Sequence, residues 1–411
     1  MATVGNKTLS YTAQSSPPLI DKNFLNSQRP AGVQSLPLAN WSSFVYQGAC
    51  KLNNADVGTS GLRNNTSAIA VDVPNSRVFA ISHSWEYHLG AFALPTLSTS
   101  TDYNALPVGA NTQPFFNHKT KPPVALSGTS TVDIPTYLAL VNGELVCNMA
   151  PYYTGAGVSP ETTFVLQNPN DLANSAAKGW HKLDVAEKGS QWITPIPTEW
   201  QTLLGGDTLW GASNAKLAIN SRLTMGVSAY AVSSASFTGA VADSVTIPTT
   251  QLMGHTLDKQ MHYDRLSQER LNDLWGEFGG AHSGFIIPGT RTYCVIGTHG
   301  GEKGTQYKLA DDVGTVSGGY APRFIGDNYY KYWLFDLNDL IAAKNGQRAK
   351  HDVLPYSYGK FSHPFQYLTN SSLDADGFSS VGGMSWDMNT KTFYMFMRYN
   401  DNNVLCAWRY V

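Results

Sequence analysis

From Trp41 onward the chain is a succession of short apolar, aromatic and β-branched runs broken by Gly, Asn and Pro. That pattern predicts strands joined by tight turns. Residues 43–50, 68–73, 77–83 and 89–94 read as β segments, and residues 381–386, 392–398 and 404–410 form a three-strand set at the end. One motif returns along the chain. Asn75-Ser76-Arg77-Val78-Phe79-Ala80-Ile81 is echoed by Gly289-Thr290-Arg291-Thr292-Tyr293-Cys294-Val295-Ile296 and by Asn389-Thr390-Lys391-Thr392-Phe393-Tyr394-Met395-Phe396. Asn142-Gly143-Glu144-Leu145-Val146 is a degenerate fourth copy. Asn and Gly tolerate the positive φ of a two-residue hairpin, and aromatic or β-branched residues suit the strand that follows.

Hairpins recurring at long, loose intervals predict an all-β fold, a single β-propeller of radially repeated small sheets. Turns near residues 75, 142, 289 and 389 predict seven blades, with six as the alternative. A ring must close, so the strand near residues 44–50 is expected to complete the final blade and remove its open edge. Three short connecting helices are expected, at residues 198–204, 267–278 and 338–344, each followed by Gly within two residues of its end. Residues 1–40 lack periodicity and carry Ser15-Ser16-Pro17-Pro18 and Arg29-Pro30. Proline disfavours helix there, so an extended N-terminal arm precedes a propeller at residues 41–411.

Composition narrows the partners. Only 14% of the residues are charged, the net charge is −2, and 42% are hydrophobic. No basic run provides a field for nucleic acid, so a nucleic-acid partner is not expected. No apolar stretch reaches the roughly 18 residues that cross a bilayer, so membrane insertion is not expected either. The first residues lack the apolar core of a secretory leader. A hydroxyl-rich, aromatic-rich composition without a leader suits a virion protein; an extracellular protein whose leader was removed is the alternative. Cys50, Cys147, Cys294 and Cys406 show no metal or redox spacing and read as buried thiols, with pairing of Cys50 and Cys406 left open by the closed ring.

No P-loop, dinucleotide fingerprint, zincin motif or nucleophile elbow occurs, and no cofactor is expected. His83 and His88 flank Glu86, too weak a set for zinc, and no metal is expected. His83 and His299 occupy similar positions after their repeat hairpins and are expected to face one shared site, joined by Tyr153 and Arg222. A histidine base, a tyrosine acid and an arginine against a carboxylate would perform β-elimination on a uronate. Trp85, Tyr87 and Tyr152 are candidate binding residues, suited to sugar stacking or a protein interface.

Ile193-Thr194-Pro195-Ile196-Pro197-Thr198-Glu199-Trp200-Gln201, then Leu204-Gly205-Gly206 and Ser221-Arg222, resembles a group of uncharacterised bacterial and phage propeller-like proteins. The likeness continues through residues 291–300 and 333–340. It implies a fold and no activity. The expected architecture is also similar to that of the β-propeller lyases acting on ulvan. No motif of theirs aligns, so no catalytic residue carries over.

The leading expectation is a phage virion structural or adhesion component without enzymatic activity. Its arm would dock on other virion proteins or on copies of itself, and a glycan is a further partner. The alternatives are an extracellular polysaccharide lyase using His83, His299, Tyr153 and Arg222, or a carbohydrate-binding propeller.

Overall fold

The computed structural model describes residues 32–63, 68–126, 134–151, 161–213, 224–269, 272–307, 320–322, 327–365, 381–399 and 402–411. After β1 (Phe44–Leu52), the first blade is β2 (Ile69–Asp72), β3 (Arg77–Ile81), β4 (Leu89–Ala93) and, past the two-residue β5 (Val108–Gly109), β6 (Asn111–Phe116). The second is β7 (Ile134–Val141), β8 (Glu144–Ala150), β9 (Glu161–Leu166) and β10 (Ala177–Leu183). The third is β11 (Trp192–Pro195), β12 (Thr208–Ala212), β13 (Ser228–Val232) and, past β14 (Thr246–Ile247), β15 (Thr250–Met253). The fourth is β16 (Gly280–Ile286), β17 (Thr292–Gly300), β20 (Asn328–Asp336) and β21 (Ser357–Phe361), with the pair β18 (Thr305–Tyr307) and β19 (Tyr320–Pro322) between β17 and β20. The last is β22 (Val381–Asp387), β23 (Thr392–Tyr399), β24 (Asn402–Tyr410) and β1.

The fold is therefore a five-bladed β-propeller, not one of seven or six blades. The sequence-based count fails on blade length: 67 residues separate Asn75 from Asn142, but 100 separate Gly289 from Asn389. Long connections, not extra blades, fill the difference. The inner strands β2, β7, β11, β16 and β22 stand side by side around the axis, with β22 returning to β2. β1 pairs antiparallel with β24, Phe44 opposite Tyr410 and Cys50 opposite Leu405, which closes the ring.

Every inner strand starts on one face, here the loop face, and ends on the other, the hairpin face. Four of the five inner hairpins are the repeated motif. Each holds a residue at positive φ: Ser76 (46°), Asn142 (52°), Gly289 (79°) and Lys391 (53°). In the third blade the hairpin is replaced by α1 (Thr198–Leu204), which stops at Gly205 with φ 92°. Trp200 of α1 is fully buried and its Nε1 donates to Thr290 O (3.2 Å), in the hairpin of the fourth blade. α2 (Leu337–Lys344) follows β20 and is capped by Asp336, whose side chain accepts from Asn338 N.

The helix expected at residues 267–278 is absent among the described residues. Asn272 takes the backbone instead: its Oδ1 accepts from Leu274 N and Trp275 N, and its Nδ2 donates to Asp264 O and Trp275 O. An asparagine that satisfies local amides in this way competes with the helical ladder.

Four buried apolar clusters hold the blades together, each seated between neighbouring blades. The largest joins the second, third and fourth blades through Tyr137, Trp192, Trp210, Tyr293 and Trp333. All four cysteines are free and buried. Cys406 stands opposite Ala49 while Cys50 stands opposite Leu405, so the two thiols point to opposite faces of the last blade and into different clusters. Residues 1–31 lie outside the described residues. Residues 32–40 lie on the hairpin side of the fourth blade: Pro37 O accepts from Arg291 N, Ala39 N donates to Thr292 Oγ1 (2.8 Å), and Asn338 Nδ2 donates to Gln34 O.

Candidate functional site

The register of the fourth blade places a set of polar and aromatic side chains on one face. His299 of β17 stands opposite Tyr329 of β20; Lys331 is flanked by Gly297 and Lys360; Trp333 is flanked by Val295 and Tyr358. The period of two sends all of these toward the segment that leads into β16. That segment caps them. Gly276 N donates to His299 Nε2 (3.1 Å), Trp333 Nε1 donates to Leu274 O (2.8 Å), and Tyr358 Oη donates to Asp273 Oδ1 (3.2 Å).

A chain of hydrogen bonds runs through the cluster. With Nε2 accepting from a backbone amide, the neutral His299 ring carries its proton on Nδ1 and donates it to Tyr329 Oη (3.0 Å). Tyr329 then donates to Glu302 Oε2 (3.3 Å), which also accepts from Lys360 Nζ (2.7 Å). Burial holds His299 well below the usual imidazole range, and the nearby Lys331 and Lys360 push the same way. The Lys360 hydrogen bond draws Glu302 below the ordinary carboxylate value. Burial pushes Tyr329 far up, so its phenol keeps its proton. Lys331 is only 1% exposed, lies against the rings of Tyr329, Trp333 and Tyr358, and is lowered by burial to about 8.

This arrangement changes the part His299 can play. Both nitrogens are engaged, so the ring orders Tyr329 and has no site left for a substrate proton. His83 lies elsewhere, two residues past β3 in the first blade, which does not adjoin the fourth. Its Nδ1 accepts from Trp85 N (3.1 Å) and its ring meets that indole edge-on. Among the described residues, no hydrogen bond or ring contact connects His83 with His299. Trp85 is 88% exposed, and Tyr87 is partly buried at φ 54° with Lys119 above its ring. His88 and Glu86, the remaining members of the zinc set, bind Thr59 and Ser60. Tyr152, Tyr153 and Arg222 lie outside the described residues. Among the described residues, no three His, Cys, Asp or Glu side chains gather as a metal site.

A hollow of about 490 Å³ opens on the hairpin face between the second and third blades. Its polar groups are spent: Asn142 donates to Ser234 and Thr238, and Glu144 accepts from Gly239 N. The fourth-blade cluster was missed by motif reading because its members are spread over residues 273–360. Only alternation in Tyr329-Tyr330-Lys331-Tyr332-Trp333 hinted at it, by setting a lysine among aromatics on one strand face.

No protein-family model and no curated protein matches the sequence. Among solved structures, a hypothetical protein from Leishmania major is similar at 8% identity and a TM-score of 0.41, covering 95% of this chain and 93% of its own. A candidate glycosidase from Bacteroides thetaiotaomicron is similar at 11% identity and 0.41, covering 93% and 96%. Saccharomyces cerevisiae Sqt1 gives 11% and 0.29, covering 84% and 73%. Likenesses of this size bear on no activity; the architecture rests on the strand pairing itself.

Proposed function

We propose that the chain is a non-enzymatic assembly or adhesion propeller of a phage virion, docked on neighbouring virion proteins or on copies of itself from the side where its ring closes. The observation that carries this reading is a set of exposed apolar side chains on the closing strands, the segment before them and the neighbouring fourth blade. Leu38, Val45, Leu354, Tyr356 and Val411 are all exposed there. Val411 N donates to Ser43 O at the ends of the closing strands, and Tyr356 Oη of the fourth blade donates to Ala39 O, next to Leu38. Exposed apolar groups favour a protein partner over water. Low overall charge supports the same reading.

Because residues 32–40 bind the fourth blade, the informative deletion is residues 1–31, which spares those contacts. Particles assembled with this deletion should lose the protein on a density gradient while it stays folded by circular dichroism. Val45→Lys combined with Leu354→Lys should reduce incorporation as well. Normal incorporation of both variants would overturn the reading. A glycan role on the loop face has its own support in the exposed indole of Trp85, a surface suited to stacking on a sugar ring.

A further inference from the structure

Trp85 is 88% exposed, yet the loop that carries it is held from several sides. Ser82 N donates to His88 O (2.6 Å) and His88 N to Ser82 Oγ (2.9 Å), which ties the two ends of the loop together. Glu86 N and Tyr87 N both donate to His83 O, and His83 N donates to Gly61 O of the loop before β2. Tyr87 is kept at φ 54°, a left-handed conformation that a bulky residue takes only where its surroundings impose it. The indole is thus presented on a fixed backbone and still left in water, which gains the fold nothing by burial. Its surroundings are polar. Ser60 Oγ donates to Glu86 Oε2 (2.5 Å), and the Asp56–Arg63 ion pair sits beside Gly61, where a built Cβ would fall 2.4 Å from Asp56 Oδ1. Because His83 Nδ1 accepts from Trp85 N, the neutral ring carries its proton on Nε2, which has no partner among the described residues. Among the described residues of these two loops, 53–63 and 82–88, Trp85 is the one exposed large apolar side chain.

We propose that this loop is a platform for an uncharged hexopyranose of a surface glycan, stacked on Trp85 with its hydroxyls turned to His83 and Glu86. A protein hot spot surrounds its tryptophan with further apolar contacts, and no other exposed apolar side chain stands on these loops. A pyranose instead offers a face of C–H groups and an edge of hydroxyls, which matches a bare ring inside a polar rim. His83 Nε2–H donates to one hydroxyl, and Glu86 Oε1, without a partner among the described residues, accepts from another. The charges select against a sugar acid. Arg63 is taken by Asp56, Lys119 lies over the ring of Tyr87, and Glu86 repels a uronate carboxylate. A pre-set loop loses little freedom on binding, so a single ring can be held on an open surface. The inference rests on the glycan reading of the loop face and not on the virion one.

The test titrates the full chain with neutral gluco-, manno- and galacto-oligosaccharides and with oligogalacturonate of the same length, read by calorimetry. At least one neutral series should bind, and oligogalacturonate should bind at least about tenfold more weakly. Trp85→Ala should weaken the neutral sugar at least about tenfold, and Trp85→Phe, which keeps a flat ring, by no more than about threefold. Glu86→Gln should cost about fivefold on the neutral sugar and less on the uronate. The preference would then narrow, which a merely structural role for Glu86 would not produce. Oligogalacturonate binding as tightly as the best neutral sugar would overturn the proposal. So would neutral binding that Trp85→Ala leaves intact, a result that keeps the glycan reading and moves its site. Silence of the folded chain on every sugar would overturn the proposal and the glycan reading together.

Discussion

On the hairpin face, the turns at Ser76, Asn142, Gly289 and Lys391 perform one task four times. On the loop face, histidines of the first, third and fourth blades perform different tasks. His118 packs on Phe164, His255 bonds Val227 O, His299 orders Tyr329, and His363 lies against Tyr330 and Trp408 while accepting from Phe365 N. Three of them, His118, His255 and His363, stand two residues beyond the outer strands β6, β15 and β21. The correspondence exists in space and leaves no common sequence signature. Repetition thus belongs to the scaffold, and the loop face is where the blades differ.

The largest expected difference between the faces is in their response to acid. Burial holds His118 and His363 near 3 and His181 and His255 near 4, below the ordinary 6.5. The unfolded chain therefore takes up protons that the folded chain refuses. The stabilising effect is complete above about pH 6.5 and is lost as pH falls toward 4, at up to about 1.4 kcal/mol per pH unit for each imidazole. Melting temperature should drop steeply between pH 7 and 5, and His363→Asn should flatten the slope. A flat profile would mean that these rings are not held neutral.

Next comes the loop-face end of the closing seam. Asn403 Oδ1 accepts from Leu52 N (2.9 Å) and its Nδ2 donates to Leu52 O (3.0 Å), so one side chain satisfies a buried backbone pair. Asn403→Ala should cost about 2–3 kcal/mol in denaturant unfolding, because both backbone groups lose their partner. A hairpin-face change should be milder. Gly289 has open space around its Cβ position, so Gly289→Ala meets only the strain of φ 79° and should cost about 1 kcal/mol. A cost as large as that of Asn403→Ala would show that hairpins and seam are equally critical. Smallest of all, Trp85→Ala should leave stability within about 0.5 kcal/mol, as surface changes do. Glycan-array binding, if the loop face adheres to sugars, should weaken.

Strands were legible because alternation and turn chemistry are local. The motif at Asn75, Asn142, Gly289 and Asn389 marked four inner hairpins, and the fifth was hidden because α1 replaces it. The blade count failed for that reason and because connection length carries no periodic signal. The helices at Thr198 and Leu337 were readable from their ends, whereas Asn272 diverted the third through hydrogen bonds that spacing does not reveal. Site prediction fared differently. His83 and His299 follow analogous hairpins, yet sit in blades that are not neighbours in the ring. The cluster around Lys331 needed the register of three strands, which is a property of pairing and not of the linear chain.

The pairing of β1 with β24 also orders events during synthesis. Leu52 and Asn403 are 351 residues apart, so the first strand leaves the ribosome long before its partner exists. Its edge carries unpaired amides and carbonyls throughout that interval, the state in which strands associate with the wrong neighbour. A chain cut short before residue 402 would yield a ring missing its clasp, prone to aggregate. Quality control of this protein thus falls on one nine-residue strand, β24.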